Sequence, residues 1–190
     1  AYVAWQFIAF GLPLGVALPL AVVLMAGIGW ALQASVVRPL IGHPNIVLVV
    51  VITTLAAGSL LENGALTLWG PRAKQLPSLI DGNATVLGVG VSLHQVAIIV
   101  VTPVILAALW AFLNRTRLGL ALRAVAQNED ASQLVGLNVT ALYGLAFAIA
   151  AALACLAGIF MGGYRFMSPS MGGDPLLKAL IVVVFGGISS

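Results

Sequence analysis

Long apolar runs separated by short polar segments organise this chain from end to end. No Asp, Glu, Lys or Arg occurs in 1–37, 39–61, 82–114 or 131–164. Within those runs there is neither the two-residue alternation of a half-buried strand nor the polar face of a surface helix. A bilayer core takes about 20 apolar residues per helix at a rise of about 1.5 Å each. The pattern therefore predicts helices over about 13–35, 44–66, 92–113 and 139–163, with a fifth starting near Leu176. Pro13 and Pro19 interrupt the first run, which leaves 1–12 as the end of a preceding helix or as a part-way entry into the membrane. Gly70, Pro71, Pro77, Asp81, Gly82 and Asn83 are turn formers, so 67–91 reads as a loop with short local structure. Residue 1 is already apolar with no basic leader segment, and the apolar tail 179–190 stops short of a span; the chain reads as truncated at both ends.

Composition turns this pattern into a class. Charged residues are 7% of the chain and hydrophobic ones 62%, against about 25% charged in soluble domains. Water is not the main solvent, and the chain is a multi-pass membrane protein of one domain, 1–190, with a polar loop at about 114–138. The net charge of +3 is too small and dispersed for nucleic acid. The single Cys155 excludes a disulfide framework, and no metal spacing is present. Alternation of sides groups 36–43 with 114–138, carrying Arg38, Arg115, Arg117 and Arg123, opposite 67–91 and 164–175 with Arg72, Lys74 and Arg165. Three arginines within nine residues place 114–138 on the cytoplasmic side.

Within the fourth span, Ala146, Ala150, Ala154, Gly158 and Gly162 recur at steps of four, a small-residue stripe that predicts close helix packing. Thr53, Thr54, Glu62 and Asn63 are the polar set expected along a translocation route, because polar groups at membrane depth are expensive. Glu62 and His94 also fit a simpler role at the water interface, and the threonines a bond to a carbonyl one turn earlier. No paired carboxylates, nucleophile with a base, metal spacing or phosphate loop emerges, so neither catalytic residues nor a cofactor are expected. The chain is not read as an enzyme.

The loop holds the remaining signal. With Arg115 just before it, the stretch Thr116–Gly136 carries Arg117, Arg123, Glu129 and Asp130. Leu118, Leu122, Val125 and Ala126 share one helical face, which fits a short amphipathic helix lying on a surface or in a partner's groove. Periodicity alone leaves a solvated loop equally open.

Residue order distinguishes them. Gly119, Ala121, Arg123, Ala124, Ala126 and Asn128, followed by Ala131 and Gly136-Leu137-Asn138, resemble the cytoplasmic loop of permeases of bacterial branched-chain amino acid ABC transporters. Asp130-Ala131-Ser132 with Gly136 is similar to the element by which importer permeases contact their ATPases, with Asp for Glu and Ser for Ala. Arg38-Pro39-Leu40, Thr53-Thr54-Leu55 through Asn63-Gly64, Leu156-Ala157-Gly158 and Gly186-Gly187-Ile188-Ser189-Ser190 extend the resemblance, although Ser189 stands where glycine is usual.

This resemblance implies an all-α, polytopic transmembrane bundle of an ABC importer permease with a cytoplasmic coupling helix, in the bacterial inner membrane. Its implied partners are a homologous second permease subunit, two cytoplasmic ATP-binding subunits, an extracytoplasmic solute-binding protein and membrane lipid. Leu118, Leu122, Arg123, Ala124, Asn128, Glu129, Asp130, Ala131 and Gly136 become the expected ATPase-coupling residues, with Leu118, Leu122 and Val125 seating the helix. Alternatives are a permease for other amino acids, urea or short amides; a self-contained channel or carrier whose basic loop binds anionic lipid; and an assembly subunit.

Overall fold

The computed structural model describes residues 1–40, 46–76, 82–86 and 89–187. Ile188–Ser190 of the terminal motif, and Pro77 and Asp81 of the expected loop, lie outside the described residues. Four helical stretches are long and apolar enough to cross a membrane: Leu14–Leu40, Val49–Trp69, Leu93–Arg115 and Val139–Gly163. Each matches one of the expected spans to within a few residues.

Residues Tyr2–Ala9 form a helix, α1, which fits either reading of the start. Its end closes by backbone bonds from Gly11 to Ile8 and from Leu12 to Phe7, and Pro13 then leads into α2, Leu14–Leu32. Pro19 sits inside α2, a position tolerated in membrane helices because neighbours can satisfy the freed carbonyl. The helix continues as a π-helical segment, Gln33–Val37, and a 3₁₀ turn, Arg38–Leu40. Next comes α3, Ile46–Trp69. In the segment expected as a loop, β1 (Asn83–Val86) and β2 (Val89–Ser92) pair antiparallel as a small hairpin. Helix α4, Leu93–Arg115, follows directly, then α5, Arg117–Gln127, α6, Glu129–Leu134, α7, Val139–Tyr164, and α8, Gly173–Gly187.

Helices α2 and α7 make the most extensive pairing. It depends on Gly29: a Cβ there would come within 2.6 Å of both the Ala151 Cβ and the Phe147 carbonyl oxygen. Trp30 lies over Gly144 in the same seam. The seam is thus built on 144, 147 and 151, whereas Ala146, Ala150 and Ala154 of the expected stripe are exposed. The reason is geometric. Steps of four on a helix of about 3.6 residues per turn drift about 40° each, so five such positions wind well around the helix. Only Gly162, at the far end, is tightly packed, against Met167 and Leu76.

The backbone joins the two segments that alternation placed on one side. Met167 N–H donates to the Lys74 carbonyl at 2.7 Å and Lys74 N–H returns a bond at 3.2 Å. Around that bridge, Tyr2 donates to the Met167 carbonyl, Trp69 Nε1 donates to Gln6 Oε1 at 3.0 Å, and Lys74 Nζ lies 3.6 Å from the Trp5 ring centre. Tyr and Trp with one apolar and one polar end suit this water boundary. His94, expected at the interface, is instead buried in protein: Nε2 lies 3.1 Å from the Phe160 carbonyl oxygen, in space left by Gly163.

Candidate functional site

At the opposite end, the polar stretch folds into two short helices rather than a loop. Thr116 begins the elbow. Its hydroxyl donates to the Phe112 carbonyl at 2.7 Å, and the same oxygen accepts the Gly119 N–H at 3.0 Å, so one side chain closes α4 and opens α5. The chain reverses so sharply that Gly119 is buried on the α4 backbone; a Cβ there would lie 2.5 Å from Leu113 Cα and 2.6 Å from its carbonyl oxygen. Asn128 repeats the device for α6, with Oδ1 accepting from Ala131 N–H at 2.9 Å and its carbonyl accepting from the Ser132 hydroxyl.

The exit from α6 uses Gly136 at φ +84°, a left-handed conformation that side chains other than Gly and Asn rarely adopt. Leu137 N–H reaches back to the Ser132 carbonyl and Gly136 N–H to that of Gln133, satisfying the last carbonyls of the helix. Leu137 then turns inward. Asn138 caps α7 by accepting from Ala141 N–H at 3.1 Å.

This elbow is seated on the first turns of α7. Val125, Val139 and Leu142 form a buried cluster, with Ala121, Leu122, Leu137 and Tyr143 packed against it. Tyr143 donates to Glu129 Oε2 at 2.7 Å, tying α6 to the same turn. Arg123 donates to Asn114 Oδ1 at 3.0 Å, tying α5 to the end of α4. An apolar groove of about 350 Å³ runs between α4 and α7 beneath α5, lined among others by Leu109, Leu122, Ala146 and Ala150.

Leu122 and Val125 are therefore the seating residues, while Leu118 is 52% exposed. Arg123, Asn128, Asp130, Ala131 and Gly136 lie at the surface, Ala124 and Glu129 half-buried. Asn128 and Glu129 already serve the elbow internally. The outer surface also carries Leu120, Leu134 at 89% exposure and Val135 at 77%, apolar side chains that sequence reasoning had not selected. The caps Thr116 and Asn138 were legible as polar residues before helical runs. The partners Tyr143 and Asn114 were not, because nothing local links them to Glu129 or Arg123.

The expected route residues lie on α3. Thr53 and Thr54 bond back to Val49 and Val50 at 2.6 and 2.8 Å, and Asn63 Nδ2 to the Ser59 carbonyl at 2.8 Å. Glu62 and Asn63 are exposed, and Thr53 and Thr54 half-buried. Relative to Thr54, Thr53 points about 100° to one side, Glu62 about 80° to the other and Asn63 about 180° round, so the four share no single face. Among the described residues no cluster of His, Cys, Asp or Glu is arranged to hold a metal.

Four spans with a capped elbow lying across the end of one of them define a polytopic membrane protein. The family described as the permease component of the branched-chain amino acid transport system matches residues 1–190, and the chain belongs to that family. The high-affinity branched-chain amino acid transport system permease protein BraD of Pseudomonas aeruginosa is 31% identical over 175 residues, 89% of this chain and 56% of that protein. The corresponding permease protein LivH of Escherichia coli K12 is 30% identical over 176 residues, with 90% and 56% covered. Ribose import permease protein RbsC of Escherichia coli K12 is 34% identical over 87 residues, 45% of this chain and 27% of its own. The chain thus spans just over half the length of BraD and LivH. No solved structure gives a significant match.

Proposed function

We propose that this chain supplies membrane spans and the coupling elbow of a permease subunit in an ATP-driven importer of branched-chain amino acids in the bacterial inner membrane. The observation that carries the proposal is the α5–α6 elbow: it is fixed to α4 and α7 by caps and a buried cluster, yet turns Leu120, Leu134, Val135, Arg123 and Asp130 outward. A solvated connection needs neither such anchoring nor exposed leucine and valine. In this scheme two ATP-binding subunits grip the elbows of this subunit and a homologous second one, and a solute-binding protein delivers substrate at the face of the Lys74–Met167 bridge. The names of BraD and LivH support the substrate class. Thr53, Thr54, Glu62 and Asn63 on α3 remain the residues proposed for the route, with Thr54 and Glu62, about 80° apart, able to face it together and Thr53 and Asn63 on the other side of the helix.

The test is reconstitution of the assembled transporter. Arg123→Glu reverses charge on the outer face and should abolish uptake while the subunit still inserts. Because Arg123 also holds Asn114, the control Asn114→Ala breaks that bond, together with the Asn114 bond to the Trp110 carbonyl, without changing the charge on the outer face, and should leave coupling near normal. Wild-type uptake and stimulated ATPase in Arg123→Glu would overturn the assignment. Uptake of labelled leucine against urea decides the substrate, and alanine at Thr53, Thr54, Glu62 and Asn63 with unchanged rate and preference removes them from the route.

A further inference from the structure

A second polar feature lies on the elbow's side of the membrane, where the end of the first long span meets the start of α7. A recess of about 240 Å³ is bordered by Trp30, Gln33, Ala34, Arg38, Asn138, Thr140 and Ala141. That is roughly eight times the liquid volume of one water, about 30 Å³, so the space suits a small polyatomic group. Its border is chemically one-sided: among the described residues it includes an arginine, two amides and a threonine hydroxyl, and no carboxylate.

Gln33 borders the recess from the side of the first long span. The residue is 2% exposed, and its Nε2 has no hydrogen-bond partner among the described residues. A buried amide NH₂ without an acceptor is costly, and such groups in native structures are normally satisfied by protein, water or a ligand. Gln33 also opens the π-helical segment Gln33–Val37, and π segments inside helices are frequent at functional sites. The wider turn leads directly into Arg38, which is exposed.

The opposite wall is the N-terminus of the 26-residue helix α7, where Asn138 serves as cap and Thr140 and Ala141 form the first turn. Backbone N–H groups and the helix dipole make such a terminus favourable to anions. A guanidinium, a threonine hydroxyl and the positive end of a long helix thus border one space, with the buried Gln33 amide beside them.

We propose that this recess binds a phosphate oxyanion, and that its natural occupant is the phosphodiester headgroup of an anionic membrane lipid. Its position favours lipid over a soluble ion: it lies where two membrane-spanning segments reach the water boundary. Trp30, 44% exposed, borders it in the manner of aromatic residues at headgroup level. Basic pockets between spans bind anionic headgroups by this chemistry. The occupied recess pins the π segment of the first span to the turn that carries the elbow.

The experiment uses the full-length permease in lipid nanodiscs containing equal amounts of phosphatidylglycerol and phosphatidylcholine, with retained lipid counted by native mass spectrometry. The wild type should retain phosphatidylglycerol selectively. Arg38→Gln and Gln33→Glu should each reduce that retention by about tenfold or more, as expected for a lost or reversed charge-assisted contact. Arg117→Gln, a surface cation outside the recess, should leave it unchanged. Should Gln33→Glu fail to insert, Arg38→Gln and Thr140→Val decide the question, since neither removes a buried core side chain. Equal retention of the two lipids, or wild-type retention in Arg38→Gln, overturns the site. Displacement of phosphatidylglycerol by excess inorganic phosphate overturns the lipid assignment in favour of a soluble oxyanion.

Discussion

Replacing Gly119 by alanine sets two effects of opposite sign against each other. Alanine is the better helix former by about 1 kcal/mol, so propensity alone predicts a more stable α5. The structure predicts the reverse. The new Cβ would lie 2.5 Å from Leu113 Cα and 2.6 Å from the Leu113 oxygen, and closer still to the Phe112 oxygen. Carbon atoms prefer about 3.5–4.0 Å, so α5 must withdraw from α4 by about 1 Å, and a gap of that size forfeits a quarter to a half of each dispersion contact. The obstacle is backbone and cannot rotate away. Overpacking of this kind costs about 1–3 kcal/mol, which outweighs the propensity gain and leaves a net loss of up to about 2 kcal/mol. The displaced segment carries Ala121, Leu122 and Val125, the seat of the elbow on α7. Gly119→Ala should therefore lower the thermal midpoint of the purified subunit and reduce substrate transported per ATP in the reconstituted importer. A raised midpoint together with wild-type transport per ATP would refute the close-approach reasoning.

Other substitutions probe the caps and the main seam. Asn128→Ala removes the α6 cap at a cost of about 1 kcal/mol, so amides of α6 should exchange about fivefold faster, while Asn128→Asp retains protection. Tyr143→Phe deletes a bond to a carboxylate worth about 1.5 kcal/mol, lowering the thermal midpoint and leaving Glu129 without that partner; an unchanged midpoint would show that the bond contributes nothing. Gly29→Ala should destabilise the α2–α7 seam by about 1–3 kcal/mol in thermal unfolding, whereas Gly27→Ala, with nothing within 4 Å, should be neutral or mildly stabilising. Equal behaviour of the two alanine variants would remove Gly29 from the seam.

The spans were legible because membrane insertion depends on a one-dimensional property, the length of an uncharged run, and the runs around 13–35, 44–66, 92–113 and 139–163 carry it without help from neighbours. The elbow was legible as composition and residue order, and Thr116, Asn128 and Asn138 sit where caps are expected. What escaped was relational. The stripe from Ala146 to Gly162 marks a small-residue face without naming its partner, and the face that meets α2 is chosen by where Gly29 and Trp30 lie. His94 looked interfacial because it begins a span, and its burial depends on Phe160 and Gly163, more than sixty residues away. The orphan amide of Gln33 could not be read at all, since its lack of a partner is a property of the packed molecule.

The span α7 has 26 residues, about 39 Å of helix at 1.5 Å per residue, and unlike α2 and α4 it contains no proline. The elbow bears on its first turns, at Val139, Leu142 and Tyr143, and at its far end Gly162 and Gly163 abut Leu76, Met167 and His94. Its tightest contact with another span, Gly29 on Phe147 and Ala151, falls near the middle. Pivoting as a rigid rod about that contact, α7 would return a sideways push of about 1 Å at one end as about 1 Å in the opposite sense at the other, because the arms from Ala151 are each about 16–18 Å long. Gly29 is then the fulcrum, and a motion that draws the helices together on the elbow side parts them on the other.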